Sequence, residues 1–528
     1  VIGTSLDEKL YLAFQILDYA LLSAPGAPIT KALLEAGIGK DISGSYDSST
    51  YQPIFSIVAK NANEEQKAEF VKVIEDTLKG IVENGMDKKA LEAGINYHEF
   101  RYREADFGGY PKGLMYGLQI FDSWLYDETK PFIHVEALDT FVFLKEQIST
   151  GYFEKLIQAY LLDNQHGALV TIVPEPGRTA RLDEELKAKL QAYKESLSRE
   201  EIDKLVADTK HLQEYQEEPS SQEDLEKIPM LTREDISREI APIYNEEMKI
   251  AEIPTVFHEI ETNGIGYLDL MFDLSDVPEK DLPMVGLLQA VLGIIDTEHY
   301  EYGELFNEIN RHTGGIGTSL ELYPDVTKVK EKEFKATFEI KGKALYGQIP
   351  FAIRMMKEIL TASKLDDEKR LKEILSMTKT RLQDRFLSAG HSAAALRAMS
   401  YKSPISKFKD TTNGIEYYQN IREMEEHFDE KKEEIISGLK ALSELLFRKG
   451  NVMISYTASR EGLAVLEEEI GSLKEALYPE RTPESRCILH CEKKNEGFKT
   501  SSKVQFAAKA GNFIDAGEEY NGALQILK

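Results

Sequence analysis

Cysteine is almost absent: Cys487 and Cys491 are the two in 528 residues. That excludes a disulfide scaffold and suits a reducing cytosol, so a cytoplasmic location is the expectation. Their C-x-x-x-C spacing has His490 beside it but no second ligand pair, so a zinc knuckle is not expected. Long apolar runs are also missing, and nothing approaches the roughly 18–20 residues that cross a bilayer. The opening Val1-Ile2-Gly3-Thr4-Ser5 has no basic stretch followed by an apolar core, as a signal peptide would. With no initiator Met, the chain reads as processed or cut from something longer. Positive charge is in deficit, with 64 Lys and Arg against 91 Asp and Glu, for a net charge of −27. Phosphate binding needs clustered Lys and Arg, so a nucleic-acid partner is not expected. An acidic surface keeps a protein soluble and can steer cationic ligands towards it.

The motifs of common chemistries are missing too. There is no G-x-x-x-x-G-K-[ST], no G-x-G-x-x-G after a strand and no G-x-S-x-G elbow. Gly314-Gly315-Ile316-Gly317 reads as a helix-end turn rather than a phosphate cradle. A zinc hydrolase needs two His one helical turn apart, a third ligand, and a Glu to take a proton from the bound water. Neither H-E-x-x-H nor H-x-x-E-H occurs. Glu298-His299 and Glu426-His427 supply the last two letters of the inverted motif, with Ile295 and Glu423 where its first His belongs. His98, His134, His166, His211, His258, His312, His391 and His490 stand singly. No residue is therefore assigned a catalytic or metal-binding role, and none can be named for substrate binding.

What the chain does have is 42% hydrophobic and 29% charged residues, the balance of a soluble globular protein, and enough length for two to four domains. It also reads the same way twice. Leu10, Phe14, Leu17 and Leu21 share a helical face, as do Val285, Leu288, Leu292 and Ile295. Each predicted helix is followed by a second that ends in glycine, at Gly37-Ile38-Gly39 and at Gly315-Ile316-Gly317. Strands follow in both copies; in the second, Phe334, Ala336, Phe338 and Ile340 alternate with charged or polar residues. An amphipathic helix comes next, through Phe70, Ile74, Leu78 and Ile81 or over Leu345–Leu360. Long charged helices then start near Asp87 and Asp366, and strands close the copies at Ala168–Val173 and Val452–Tyr456. Matched landmarks lie about 275 to 285 residues apart. The expectation is α+β: duplicated domains with helices on one face of a mainly antiparallel sheet.

The copies are joined by a charged stretch with a narrow stripe of Leu182, Leu186, Leu190 and Leu197. Ser198-Arg-Glu-Glu201 reads as a capping box and Thr232-Arg-Glu-Asp235 as a looser one. A helical hairpin is expected here. The second copy opens with strands at Val256–Ile260 and Leu268–Leu274 whose counterparts would precede Val1. Val504, Phe506 and Ala508 read as an opening strand of a further copy, and Glu518–Lys528, with Leu524 and Leu527, as its first helix. The expected division is 1–180 as an α+β domain lacking its first strands, 181–250 as the hairpin connector, 251–485 as a second such domain, and 486–528 as the start of a third.

Leu21–Pro28, Ile29–Asp41 and Ser43–Tyr51 resemble the second domain of presequence proteases, a branch of the insulinase-type inverted zincin metallopeptidases. Leu305–Leu320, with Thr313-Gly314-Gly315, resembles their third domain, and the connector resembles the helical hairpin between their halves. The resemblance implies four related α+β domains in two bowl-like halves around a chamber, with zinc held in the first domain. The first domain and most of the fourth would lie outside this chain. The helix that matches the zinc helix here reads Pro283-Met284-Val285-Gly286-Leu287-Leu288, and Met284, Leu287 and Leu288 replace the His, Glu and His. On this reading zinc belongs to the full-length enzyme and none is expected here.

Two functions follow from that resemblance. One is the central, non-catalytic portion of a zinc metalloendopeptidase that degrades unstructured peptides, whose partners are peptide substrate and the remaining domains of the same polypeptide. The other is a non-catalytic scaffold or peptide-binding relative, separated from the first by whether H-x-x-E-H lies upstream of Val1.

Overall fold

The computed structural model describes residues 1–526 apart from 231, 241, 482–485, 501 and 503. It divides into two compact units, one of residues 1–168 with 244–528 and one of residues 169–243.

The larger unit opens with α1 (Glu8–Asp18), capped by the Asp7 carboxylate on the amides of Lys9 and Leu10, and α2 (Pro28–Glu35). Gly37 (φ +70) and Gly39 (φ +78) turn the chain out of α2, in a region L-residues avoid. It enters β1 (Asp41–Asp47), which pairs antiparallel with β2 (Ile54–Lys60) in a two-stranded sheet. Then come α3 (Lys67–Asn84), α4 (Lys88–Glu104, capped by Asp87), α5 (Lys112–Trp124), α6 (Leu138–Gln147) and α7 (Tyr152–Ile157). Phe14, Leu17, Ile29, Leu33, Leu91 and Phe153 are among the side chains fully buried in this core. The stretch Ala168–Val173 forms no strand, contrary to its apolar run. Leu169, Val170, Ile172 and Val173 are exposed, and a strand without a ladder partner gains nothing from its β-branched residues.

The smaller unit holds α8 (Arg178–Ser196), α9 (Arg199–Glu217) and α10 (Gln222–Glu226). Both capping boxes form, Ser198 with Glu201 and Thr232 with Asp235. Leu182, Leu186 and Leu190 on α8 and Leu205, Val206 and Leu212 on α9 all stay exposed. Stripes this narrow bury little, and the helices are instead laced by i,i+4 ion pairs such as Arg181–Glu185 and Arg199–Asp203.

Glu246–Ile250, read from sequence as connector, is β3 of a six-stranded sheet. Its neighbours in sequence are β4 (Ile253–Glu259) and β5 (Ile265–Asp273). α11 (Leu282–Val291) and α12 (Tyr302–His312) follow, then β6 (Ile316–Pro324) and β7 (Phe334–Leu345). α11 stops at Val291, short of the predicted Ile295, because Gly293 (φ +86) turns the chain; Leu292 and Ile295 are buried all the same. Because β7 runs on to Leu345, α13 (Ile349–Thr361) starts later than its apolar pattern suggests. Next are α14 (Glu368–Ser388), α15 (Gly390–Ser400), α16 (Pro404–Asn413), α17 (Ile415–Glu426), α18 (Phe428–Leu446), β8 (Val452–Ala458) and α19 (Arg460–Ala476).

Strand order is β3-β4-β8-β5-β7-β6, antiparallel throughout except between β4 and β8. The sheet is two-faced. Leu268, Leu270, Phe272, Phe338, Ile340, Ile454 and Tyr456 are buried under the helices, while their neighbours in sequence point the other way. Val504, Phe506 and Ala508 are not in a strand; a helical turn over Ala523–Ile526 is all the regular structure described in that stretch, and Leu527 and Lys528 lie outside the described residues.

The two parts of the larger unit meet along α4 and α12. Asn96 Nδ2 donates to the Asn310 carbonyl at 2.6 Å, and Lys89 reaches Glu308 at 3.1 Å. Pro25 and Gly26 touch Gly303 backbone to backbone, and a Cβ on Gly26 would stand 2.9 Å from the Gly303 Cα.

Candidate functional site

The polar face of the six-stranded sheet concentrates the unit's chemistry. Period-two alternation sends Tyr267, Asp269 and Met271 of β5, Thr337, Glu339 and Lys341 of β7, Ser319 and Glu321 of β6 and Ser455 of β8 to this side. Glu339 is 1% exposed and fully engaged. It accepts from Tyr323 Oη at 2.8 Å and Thr337 Oγ1 at 2.6 Å, and it pairs with Lys341 Nζ at 3.0 Å. Lys341 also takes Glu321 at 2.9 Å.

Asp269 sits opposite Lys341 on one side and Ser455 on the other. Burial pushes its carboxyl up to about 6; Glu339 and Glu321 add to the rise, and Lys341 and His258 work against it. His258 Nδ1 lies 2.8 Å from the Tyr244 carbonyl, which can only accept, so this nitrogen carries the proton. In the neutral ring Nε2 is left to accept from Ser455 Oγ at 3.2 Å. That is base-like geometry, but acyl transfer also needs oxyanion donors and a substrate cleft, so the pair alone is no hydrolytic centre. At the rim, Glu104 of α4 accepts from Tyr267 Oη at 3.0 Å and pairs with Lys343. The face as a whole can hold cationic or polar groups by charge and hydrogen bonding.

Sequence reasoning gave none of these residues a role and met His258 only as a lone histidine. Alternation marked the face, but that Asp269, Glu321 and Glu339 converge is set by strand order, which puts β7 between β5 and β6.

The partial zinc motifs are not brought together. Glu298 and His299 lie in a loop after α11, and His299 Nδ1 is held by Glu358 at 3.0 Å. Ile295 is buried. His427 links α17 to α18 and pairs only loosely with Glu430 at 3.7 Å, while Glu423 bonds Lys431. His134 is buried with Nε2 2.8 Å from the Ser5 carbonyl, and burial pulls both His98 and His134 down to about 4. On α11, Leu287 and Leu288 are 0% exposed and Met284 packs over Gly438. Among the described residues no three His, Cys, Asp or Glu are placed to hold a metal ion, so the donor set for the zinc of the family resemblance is not found in them. Cys487 and Cys491 are free thiols. Among the described residues no helix is long and apolar enough to cross a membrane.

Comparison with known proteins relates the chain to a family of peptidases. The family model described as Peptidase M16 inactive domain matches residues 1–97, and the one described as associated with peptidase M16, subgroup C, matches residues 172–424. The chain belongs to the presequence-protease-like subgroup C of the M16 peptidase family. Protein HypA of Clostridium perfringens (strain 13 / Type A) is 38% identical to this M16 chain over 528 residues, which is 100% of the chain and 54% of that protein. Presequence protease 1, chloroplastic/mitochondrial, of Arabidopsis thaliana is 28% identical, over 99% of this chain and 48% of that one. The chain thus spans about half the length of the curated relatives it matches. The solved structure of pitrilysin aligns with 90% of this chain and 46% of its own at 11% identity and a TM-score of 0.39, too slight a likeness to bear weight.

Proposed function

We propose that this M16 chain is the central, non-catalytic portion of a zinc metalloendopeptidase that degrades unstructured peptides inside a closed chamber. The observation that carries the reading is the match to an inactive M16 domain in a chain whose α11 is sealed core. Leu287 and Leu288 stand where a zinc helix needs Glu and His, and both are fully enclosed. The relatives named as presequence proteases support the peptide substrate. Zinc and the residues that use it then belong to the rest of the same polypeptide.

Duplicated domains are part of this proposal. α1, α2, β1, β2, α3 and α4 repeat in order as α11, α12, β6, β7, α13 and α14. We therefore read residues 1–180 as a second peptidase-like domain, 181–245 as the connector, 246–485 as a third domain and 486–528 as the start of a fourth. Free thiols at Cys487 and Cys491 suit a cytoplasmic location.

The test is made on the full-length protein. Atomic absorption should find stoichiometric zinc, and the enzyme should cut unfolded peptides but not folded proteins. The present chain alone should bind no zinc after metal removal and re-addition. A full-length protein without zinc and without cleavage would establish the scaffold reading instead. Chelator-sensitive cleavage by this chain alone would overturn both.

A further inference from the structure

The stretch Cys487-Ile-Leu-His-Cys-Glu-Lys-Lys-Asn-Glu496 has no helical or strand period, and it forms neither. Most of it is exposed, yet it is fastened to the six-stranded part at three points. The Cys487 amide donates to the Ser275 carbonyl, just past β5, at 2.6 Å. His490 meets Glu279 through its backbone amide at 3.1 Å and its Nδ1 at 2.7 Å. Glu496 takes both free edges of the Arg397 guanidinium, Nε at 2.7 Å and Nη2 at 3.0 Å, and accepts from the Tyr401 hydroxyl as well.

Arg397, on α15, is enclosed, with its side chain 9% exposed. Its third edge, Nη1, is held by Asp410 of α16 at 2.6 Å, and Asp410 is completely buried. Glu416 stands 3.5 Å from the same nitrogen. The helices thus neutralise Arg397 without Glu496 and leave its planar fork, with Tyr401, facing outward. Three donors converging on one carboxylate are a recognition geometry.

We propose that Arg397 and Tyr401 form a carboxylate-binding cradle, and that residues 487–496 are a detachable strap which fills it from within the chain through Glu496. The strap can leave because little apolar surface holds it: Cys487 and Leu489 are half-buried, and Lys493, Lys494 and Lys499 are exposed. Leaving does not strand a charge, since Arg397 keeps Asp410. While clipped, the strap holds Ser275 and Glu279 beyond β5, and further along the chain Phe506 lies against Gly390 and the His391 ring.

The whole chain carrying Glu496→Ala tests this by hydrogen exchange and limited trypsin digestion. Exchange over residues 487–499 should quicken by about tenfold or more, as expected for loss of a charged hydrogen bond. Trypsin should cut at Lys493, Lys494 and Lys499, with the urea midpoint unchanged. A synthetic peptide of residues 486–500 should bind this variant, and the same peptide with Ala in place of the glutamate should not. Unchanged exchange would overturn the proposal, as would loosening that spreads through α15 and α16, which would make Glu496 a structural member of the core. Glu496→Asp, one methylene shorter, should fall between.

Discussion

Arg311 of α12 reaches across to Glu92 of α4, Nη2 to Oε2 at 2.7 Å, while its Nη1 holds Glu308 on its own helix at 2.9 Å. One guanidinium thereby ties the two parts of the larger unit and braces the helix that carries it. With its side chain 23% exposed, it works in partial shelter from water. Arg311→Ala should lower stability by roughly 1–2 kcal/mol, the range for hydrogen bonds to charged groups discounted for exposure. Lys72→Ala, which removes the fully solvated pair with Asp76, should leave the urea midpoint where it is. Equal effects would mean that the α4–α12 seam carries no electrostatic load.

Restoring the missing zinc letters on α11 should fail. In Met284→His, Leu287→Glu, Leu288→His, two fully buried leucines become polar groups without partners. The expected cost is at least about 4 kcal/mol. Urea unfolding measures it, and zinc titration should find no site. A folded triple variant that binds one zinc would show this helix to be a silent active site.

Asp269 makes stability depend on pH with an unusual sign. Its folded-state value of about 6 lies above the ordinary 3.8, so the folded form holds its proton longer than the unfolded chain. Stability from this group is greatest below about pH 4 and falls as pH rises to 6. Asp269→Asn should therefore raise the urea midpoint at pH 7.5 and change it little at pH 4. The reverse order would mean that Lys341 outweighs burial.

His134 acts in the opposite direction over an overlapping range. Buried and stacked on Tyr11 with ring centroids 3.7 Å apart, it stays neutral down to about pH 4. An unfolded histidine takes its proton near 6.5, so the stability this residue contributes is present above that and is lost as pH falls towards 4. His134→Gln should be less stable than wild type at pH 7.5 and closer to it at pH 4.5. Denaturant titrations at the two pH values give the comparison.

The periodic elements were legible in the sequence. Alternation in 334–340 and 268–274 gave β7 and β5 with the correct buried faces, and Asp87, Ser198 and Thr232 marked helix starts where the structure caps them. Periodicity reports a residue's own side of an element and says nothing of partners. So Ala168–Val173 looked like a strand but has no neighbour, and Glu246–Ile250, too charged to look like one, is drawn into the sheet by β4. The polar face was out of reach because Asp269, Ser455 and Glu339 meet only through strand order. Arg311 and Glu92 are likewise far apart in sequence.

The slot between β4 and β5 is filled by β8, about 200 residues further along the chain. During synthesis the β3–β4 ribbon and the β5–β7–β6 group must therefore wait as separate halves of an unfinished sheet, each with an open edge, until Val452–Ala458 leaves the ribosome. Nascent chains stopped anywhere between residues 346 and 451 should be sticky and chaperone-bound, and release should come abruptly once β8 arrives.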